Sequence, residues 1–254
     1  MRKRVESKTK GTGLNAADRT QGTGSMDKLP PRHPSWNLWQ GLFLILLVNL
    51  VELPMGWLKA SENLDTLDGF LHFLAVGLGE GLLYLGAILV LMRLLRQPLK
   101  GLGLVKPRLG FWILGIIVGI FLFVSIGLLG NLLIKFLGTP APQSFTEAVK
   151  GVKYGWQFLL LILLGGVIAP LKEEMIFRGL IYPPLRQAYG RGRGMLLTGV
   201  FFAALHFDLV RFLPLFIGGV ILTWVYERSG SLWPAVLAHG TWNVLMALAL
   251  WVQR

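Results

Sequence analysis

Apolar residues gather along this chain in seven blocks, at 38–58, 69–92, 110–137, 154–185, 194–209, 212–226 and 231–251, with polar or charged segments between them. A helix crossing a bilayer takes roughly 20 apolar residues. The second, third and seventh blocks therefore predict spanning helices. The fourth is interrupted by Pro170 and carries charges, which predicts a kinked helix. The fifth and sixth are short and flank Asp208 and Arg211, which predicts a tight turn at one membrane face. Trp36, Trp39, Trp57, Trp112, Trp156, Trp233 and Trp251 stand at block ends, where an interfacial aromatic belt places them. The expected fold class is all-α: a polytopic transmembrane helix bundle of about seven to eight helices. The pattern divides the chain into a polar tail over 1–35, transmembrane helices over 36–153 and a second helical region over 154–254.

Composition agrees with the pattern. The chain is 54% apolar and only 15% charged, against about 45–50% and 25% in soluble domains. The net charge of +12 would suggest nucleic acid in a soluble protein, but here the cations lie between apolar blocks and carry a topology signal instead. Arg93, Arg96, Lys100, Lys106, Arg108, Lys172, Arg178, Arg186, Arg191, Arg193 and Arg228 fall on the same side as the cation-rich tail. Only Lys59, Lys135, Lys150, Lys153, Arg211 and Arg254 fall elsewhere. The expected orientation places the N-terminus inside, with the tail cytosolic and disordered; Met26 offers an alternative start. No cysteine is present, which removes disulfides, thiolate metal sites and a cysteine nucleophile.

Charged and imidazole side chains in hydrocarbon are costly, so each one inside a block is a candidate site. Counted along a helix at 1.5 Å per residue, Glu173 lies about 20 Å from Arg186, His206 about 18 Å from Gly194 and His239 about 12 Å from Ser231. Three segments thus bring polar groups to similar depth, which predicts a shared polar cavity. The i, i+4 spacing places Glu174 with Arg178, Phe202 with His206, and His239 with Asn243 on common helix faces. Glu174 and Arg178 can pair, leaving Glu173 to face the cavity. Glu80 and Glu52 also lie within blocks; for Glu80 an interhelical hydrogen bond in a glycine-lined contact is the expected role. Gly77, Gly79 and Gly81, like Gly115 and Gly119, read as close helix–helix contacts.

A carboxylate and an imidazole can hold a water and remove its proton, while a second imidazole with an amide can stabilise an oxyanion. That set would hydrolyse a peptide bond without a covalent intermediate. The same side chains, Glu173, His206 and His239, could instead bind Zn²⁺ with an open position for water. The residues themselves leave both alternatives open. A non-enzymatic membrane partner and a proton-coupled transporter are the competing classes, the latter requiring a continuous polar path from Glu80 to His206.

Three motifs carry a resemblance. Glu173-Glu174-Met-Ile-Phe-Arg178 resembles EExxxR, Phe202-Ala-Ala-Leu-His206 resembles FxxxH, and His239-Gly-Thr-Trp-Asn243 resembles HxxxN. Together, in order and on separate apolar segments, they are similar to the CAAX prenyl endopeptidase and bacteriocin-processing (CPBP, or Abi) family of intramembrane proteases, over roughly residues 155–245. The resemblance implies an endopeptidase acting on a membrane-associated or lipidated protein or peptide. Glu173 and His206 would activate water, His239 and Asn243 would stabilise the oxyanion, and Glu174 and Arg178 would hold the arrangement, with Phe202 against the substrate. The family is often called metalloprotease, but a metal-free mechanism is argued for its eukaryotic members, so the cofactor stays open between Zn²⁺ and none. Some members serve in bacteriocin immunity or as scaffolds, the alternative the resemblance carries. The expected location is a bacterial plasma membrane, with the lipid bilayer and the substrate as partners and no nucleic acid.

Overall fold

The computed structural model of the chain describes residues 34–60, 64 and 66–253, apart from the side chains of 52–60. The expected tail up to residue 33, together with Glu62 and Asp65, lies outside the described residues, as do the side chains of Glu52, Trp57 and Lys59. Among the described residues all regular structure is helical. In chain order the α-helices are α1 (Leu38–Ala60), α2 (Leu67–Leu94), α3 (Leu109–Leu137), α4 (Ser144–Gly151), α5 (Gly155–Leu163), α6 (Ala169–Glu174), α7 (Tyr182–Ala204), α8 (Leu209–Ser229) and α9 (Leu232–Val252). Helices α2, α3, α8 and α9 are long and apolar enough to cross a membrane. Many of their large apolar side chains are exposed, including Leu82 on α2 and Leu128 on α3. In lipid that surface faces its own solvent, and every backbone polar group is satisfied within the helix.

One expectation changes. Block six is not short: Asp208 caps it by accepting the Arg211 amide hydrogen, and the helix runs through Pro214 to Gly230, giving the 21 residues of α8. Pro214 lies inside the helix, one turn beyond its start, and withholds the amide hydrogen that would otherwise reach Val210 O. Block four runs through Pro170 without leaving helical backbone geometry. It continues from α5 to α7 through two π-helical turns, Leu164–Ile168 and Met175–Ile181, on either side of α6. The sharp break comes later, at Gly190, whose φ of 79° lies in the left-handed region that costs glycine nothing. There the chain reverses into the second half of α7, which packs against α8.

The basic residues collect at one end of the bundle. The Leu232 amide donates to Gly103 O, the Tyr226 hydroxyl to Leu102 O, and Arg186 and Arg191 to Glu227. These bonds draw the loop after α2, the Gly190 break and the α8–α9 turn together. Buried Glu227 also accepts from Tyr182, so one carboxylate gathers three donors from the α7 segment. The opposite end holds a smaller apolar cluster in which Phe70, Phe73, Val149, Phe158 and Leu161 pack together.

Close backbone approach sets the helix pairs. A side-chain carbon at Gly115 would lie 2.7 Å from Pro234 O, and one at Gly119 2.6 Å from Ala238 O, so α3 and α9 meet with almost nothing between them. Gly77 and Gly81 take the side chains of Leu164 and Ile168 from the first π turn. Gly240 of α9 sits against Gly166 O of that same turn. Gly240→Ala is therefore expected to overpack this contact and cost about 1–3 kcal/mol. A lowered unfolding midpoint in detergent is the expected reading, and an unchanged midpoint would refute the contact's importance.

Candidate active site

The fourth block carries Lys172, Glu173, Glu174 and Arg178 across the junction of α6 and the second π turn. Glu174 points into the protein and is fully buried; its Oε1 accepts from Arg178 Nη1 at 2.7 Å, the i, i+4 pair that the spacing predicts. Arg178 is also fully buried, donates Nη2 to Gly219 O at 3.0 Å and lies 4.9 Å from the centre of the Phe202 ring. A buried ion pair gains stability only when further hydrogen bonds and close geometry offset desolvation. Here the carbonyl and the aromatic face supply part of that offset.

His239, on α9, completes the buried group. Its Nδ1 lies 2.9 Å from Glu174 Oε1. A carboxylate oxygen accepts, so Nδ1 carries the hydrogen and the ring orientation is fixed. Nε2 then faces Glu173, with Oε2 at 3.8 Å. Glu174 thus stands behind His239, and Glu173 in front of it.

Glu173 keeps 22% of its side chain exposed, because it lines a cavity of about 190 Å³ together with Lys172, Ile176, Phe177, Leu205 and His206, and with Ile45 and Asn49 of α1 and Glu80 and Tyr84 of α2. His206 belongs to no helix; it lies in the turn after Ala204, where α7 ends. Its Nδ1 donates to Phe202 O at 2.7 Å, which leaves the Nε2 lone pair available in the neutral ring. The Phe202 ring lies tilted 4.9 Å from the His206 ring and edge-on 5.8 Å from the His239 ring, so one buried aromatic spaces both imidazoles. Phe202 itself is not among the residues lining the cavity.

Asn243 bonds elsewhere. Its Nδ2 donates to Gly165 O at 2.9 Å. The reason is local: in the first π turn the Ala169 amide bonds five residues back to Leu164 O. The next such bond would run from residue 170 to Gly165 O, but proline has no amide hydrogen. Asn243 fills that place. Asn243→Ala is accordingly expected to leave Gly165 O short of its donor and to cost about 1–3 kcal/mol. Denaturant unfolding in detergent reads it, and a midpoint equal to wild type would contradict that role.

Among the described residues no three His, Asp or Glu side chains converge closely enough to hold a metal ion. The Zn²⁺ set Glu173, His206 and His239 is therefore not gathered at ligand spacing, although protein oxygens hold Nδ1 of both rings and leave each Nε2 free. The donors as arranged do not fit a metal centre.

The interhelical hydrogen bond expected of Glu80 is present, with Lys172 as the partner that the sequence leaves unnamed; the Asn49 bond to the Tyr84 hydroxyl at 2.8 Å is not foreseen by it. For Lys172 the signal existed: two opposite charges in separate apolar blocks seek one another in lipid.

A helical bundle with four candidate membrane spans that sets Glu173 and His206 on one cavity, with Glu174 and His239 buried behind them, has the make-up of a membrane hydrolase, and the comparisons with known proteins narrow that class. Residues 155–245 match the family model described as type II CAAX prenyl endopeptidase Rce1-like. The chain is 26% identical over 184 residues to the Bacillus subtilis protein named "Putative membrane peptidase YdiL", covering 71% of this chain and 74% of that one. It is 30% identical over 175 residues to an uncharacterized 24.3 kDa protein of Escherichia coli, covering 66% and 76%. With the Lactococcus lactis UPF0177 protein YxdF it shares 29% over 86 residues, 34% of this chain and 47% of that protein. No solved structure matches it. The chain belongs to the Rce1-like, CPBP family of membrane endopeptidases.

Proposed function

We propose that this protein cleaves a peptide bond near the membrane-embedded or lipidated end of its substrate, using water activated by Glu173 and His206. The observation that carries the reading is the position of Glu173: in the cavity with His206, and 3.8 Å in front of a histidine held from behind by Glu174. Water held between Glu173 and the His206 Nε2 loses a proton to the carboxylate as its oxygen attacks the carbonyl carbon. The carbonyl oxygen becomes an oxyanion, which His239 stabilises by donating from Nε2 in the doubly protonated ring, its Nδ1 hydrogen staying on Glu174. The remaining amide hydrogen of Asn243 is the second donor. Collapse breaks the carbon–nitrogen bond, and the proton on Glu173 passes to the leaving amine. Glu174 and Arg178 hold His239, and Phe202 spaces the two rings.

By the positive-inside bias, the basic end of the bundle faces the cytoplasm and the protein resides in a bacterial plasma membrane. Glu80 and His206 do line one cavity, a feature that a proton-coupled transporter would use. A transport path would also have to continue to both ends. Toward the basic end Gly41 of α1 packs on Ile181 and Leu180, and Trp36 donates to Leu180 O, so the helix contact there is apolar.

The test uses the purified protein in lipid vesicles with a library of peptides that carry an apolar or lipidated end. Internal cleavage by the wild type, abolished in His206→Ala, is the expected result. A library left intact by the wild type, or cut equally by His206→Ala, would overturn the mechanism.

A further inference from the structure

The cavity has a second wall that the hydrolytic set does not use. Lys172 pairs with Glu80 across the α2–α6 contact, its ammonium lies 5.1 Å from the centre of the Tyr84 ring, and the Tyr84 hydroxyl accepts from Asn49, which also donates to Ile45 O. Four polar side chains from three helices therefore cover the face shared with Glu173 and His206.

Helix association does not require such a wall. Gly77 and Gly81 already bring α2 against the first π turn, and a buried ion pair is often no more stabilising than apolar residues of similar volume. What the polar groups change is the solvent of the cavity. A cavity of this size lined only by apolar side chains stays dry, whereas water enters where each molecule finds two to four polar partners. At about 190 Å³ the space holds several waters, each needing on the order of 10–15 Å³ by the same measure. Hydrolysis in a bilayer needs that supply.

We propose that Lys172, Glu80, Tyr84 and Asn49 form a hydration site that holds water, the second substrate of hydrolysis, beside Glu173 and His206. The inference rests on the proposed protease reading for its purpose, but its test needs no proteolysis.

The chain has no cysteine, so a single introduced thiol can be followed alone. Thiolates form and react with a water-soluble methanethiosulfonate only where water reaches them. Ile176→Cys places a thiol on the cavity lining, and Leu82→Cys places one on the exposed apolar face of α2 as a dry reference. In membranes, Ile176→Cys is expected to react at least tenfold faster than Leu82→Cys. Adding Glu80→Leu with Lys172→Met should slow it to the reference rate. Exchanging the pair as Glu80→Lys with Lys172→Glu keeps the wall polar and should restore fast labelling, which also separates drying from misfolding.

Equal rates for Ile176→Cys and Leu82→Cys would overturn the hydration site, and so would fast labelling in the Glu80→Leu/Lys172→Met background. If that background does not fold, Asn49→Leu with Tyr84→Phe makes the same test from the other half of the wall. The proteolytic reading fails separately: fast labelling with no peptide cleaved leaves a wet cavity in a protein that is not a protease.

Discussion

Replacing Arg178 by alanine is expected to destabilise the protein by about 3–5 kcal/mol, the cost of leaving a buried charge without its partner. Glu174 is fully buried, and its Oε2 makes no hydrogen bond among the described residues. Its charge is compensated through Oε1 alone, by Arg178 and by the His239 ring. Removing Arg178 also strips Gly219 O of a donor and empties the space against Phe202. The double variant Glu174→Gln with Arg178→Met removes both charges together and is expected to lose less than Arg178→Ala alone. Denaturant unfolding in detergent micelles measures both. A single variant within about 0.5 kcal/mol of wild type, the range of ordinary surface substitutions, would show that the pair does not hold the site.

The second large effect is catalytic rather than structural. Glu173→Gln keeps the side chain's shape but cannot take a proton from water, and it is expected to slow cleavage by about 10²–10⁴-fold. Because Glu173 lines the cavity and bears no packing load comparable to Glu174, its unfolding midpoint should match wild type. The contrast between neighbouring carboxylates is the diagnostic: Glu173 carries rate, Glu174 carries fold. A Glu173→Gln protein that is folded and as fast as wild type would remove Glu173 from the reaction.

Much of this arrangement is legible from spacing. Glu174 and Arg178 meet as the i, i+4 spacing predicts, across the entry to the second π turn; Phe202 and His206 meet too, but through the turn that ends α7. Gly115 and Gly119 read as a close helix contact, and α3 and α9 do meet there. The π turns are not legible, because their cause is spread over the fold. The first depends on Pro170 withholding an amide hydrogen and on Asn243, from a helix more than seventy residues later, supplying one. Spacing places Asn243 beside His239, but it does not say which acceptor the amide finds.

The length of α8 is hidden for a related reason. Asp208 and Arg211 look like a turn because they are charged. The turn is there, but Asp208 also caps the helix that follows, so its polarity opens α8 rather than interrupting it. Lys172 shows the limit of counting cations. It contributes to a topology bias by number, while its position across from Glu80 makes it part of a cavity wall.

The most direct measurement compares protein termini in membranes of cells carrying the wild type with those of cells carrying Glu173→Ala at equal expression. New termini that appear only with the wild type, at bonds near membrane-embedded or lipidated ends, are the expected result and would identify the substrate as well. Identical termini in both, with the variant folded and any cellular phenotype intact, would contradict proteolysis and leave the protein a membrane-bound binding partner.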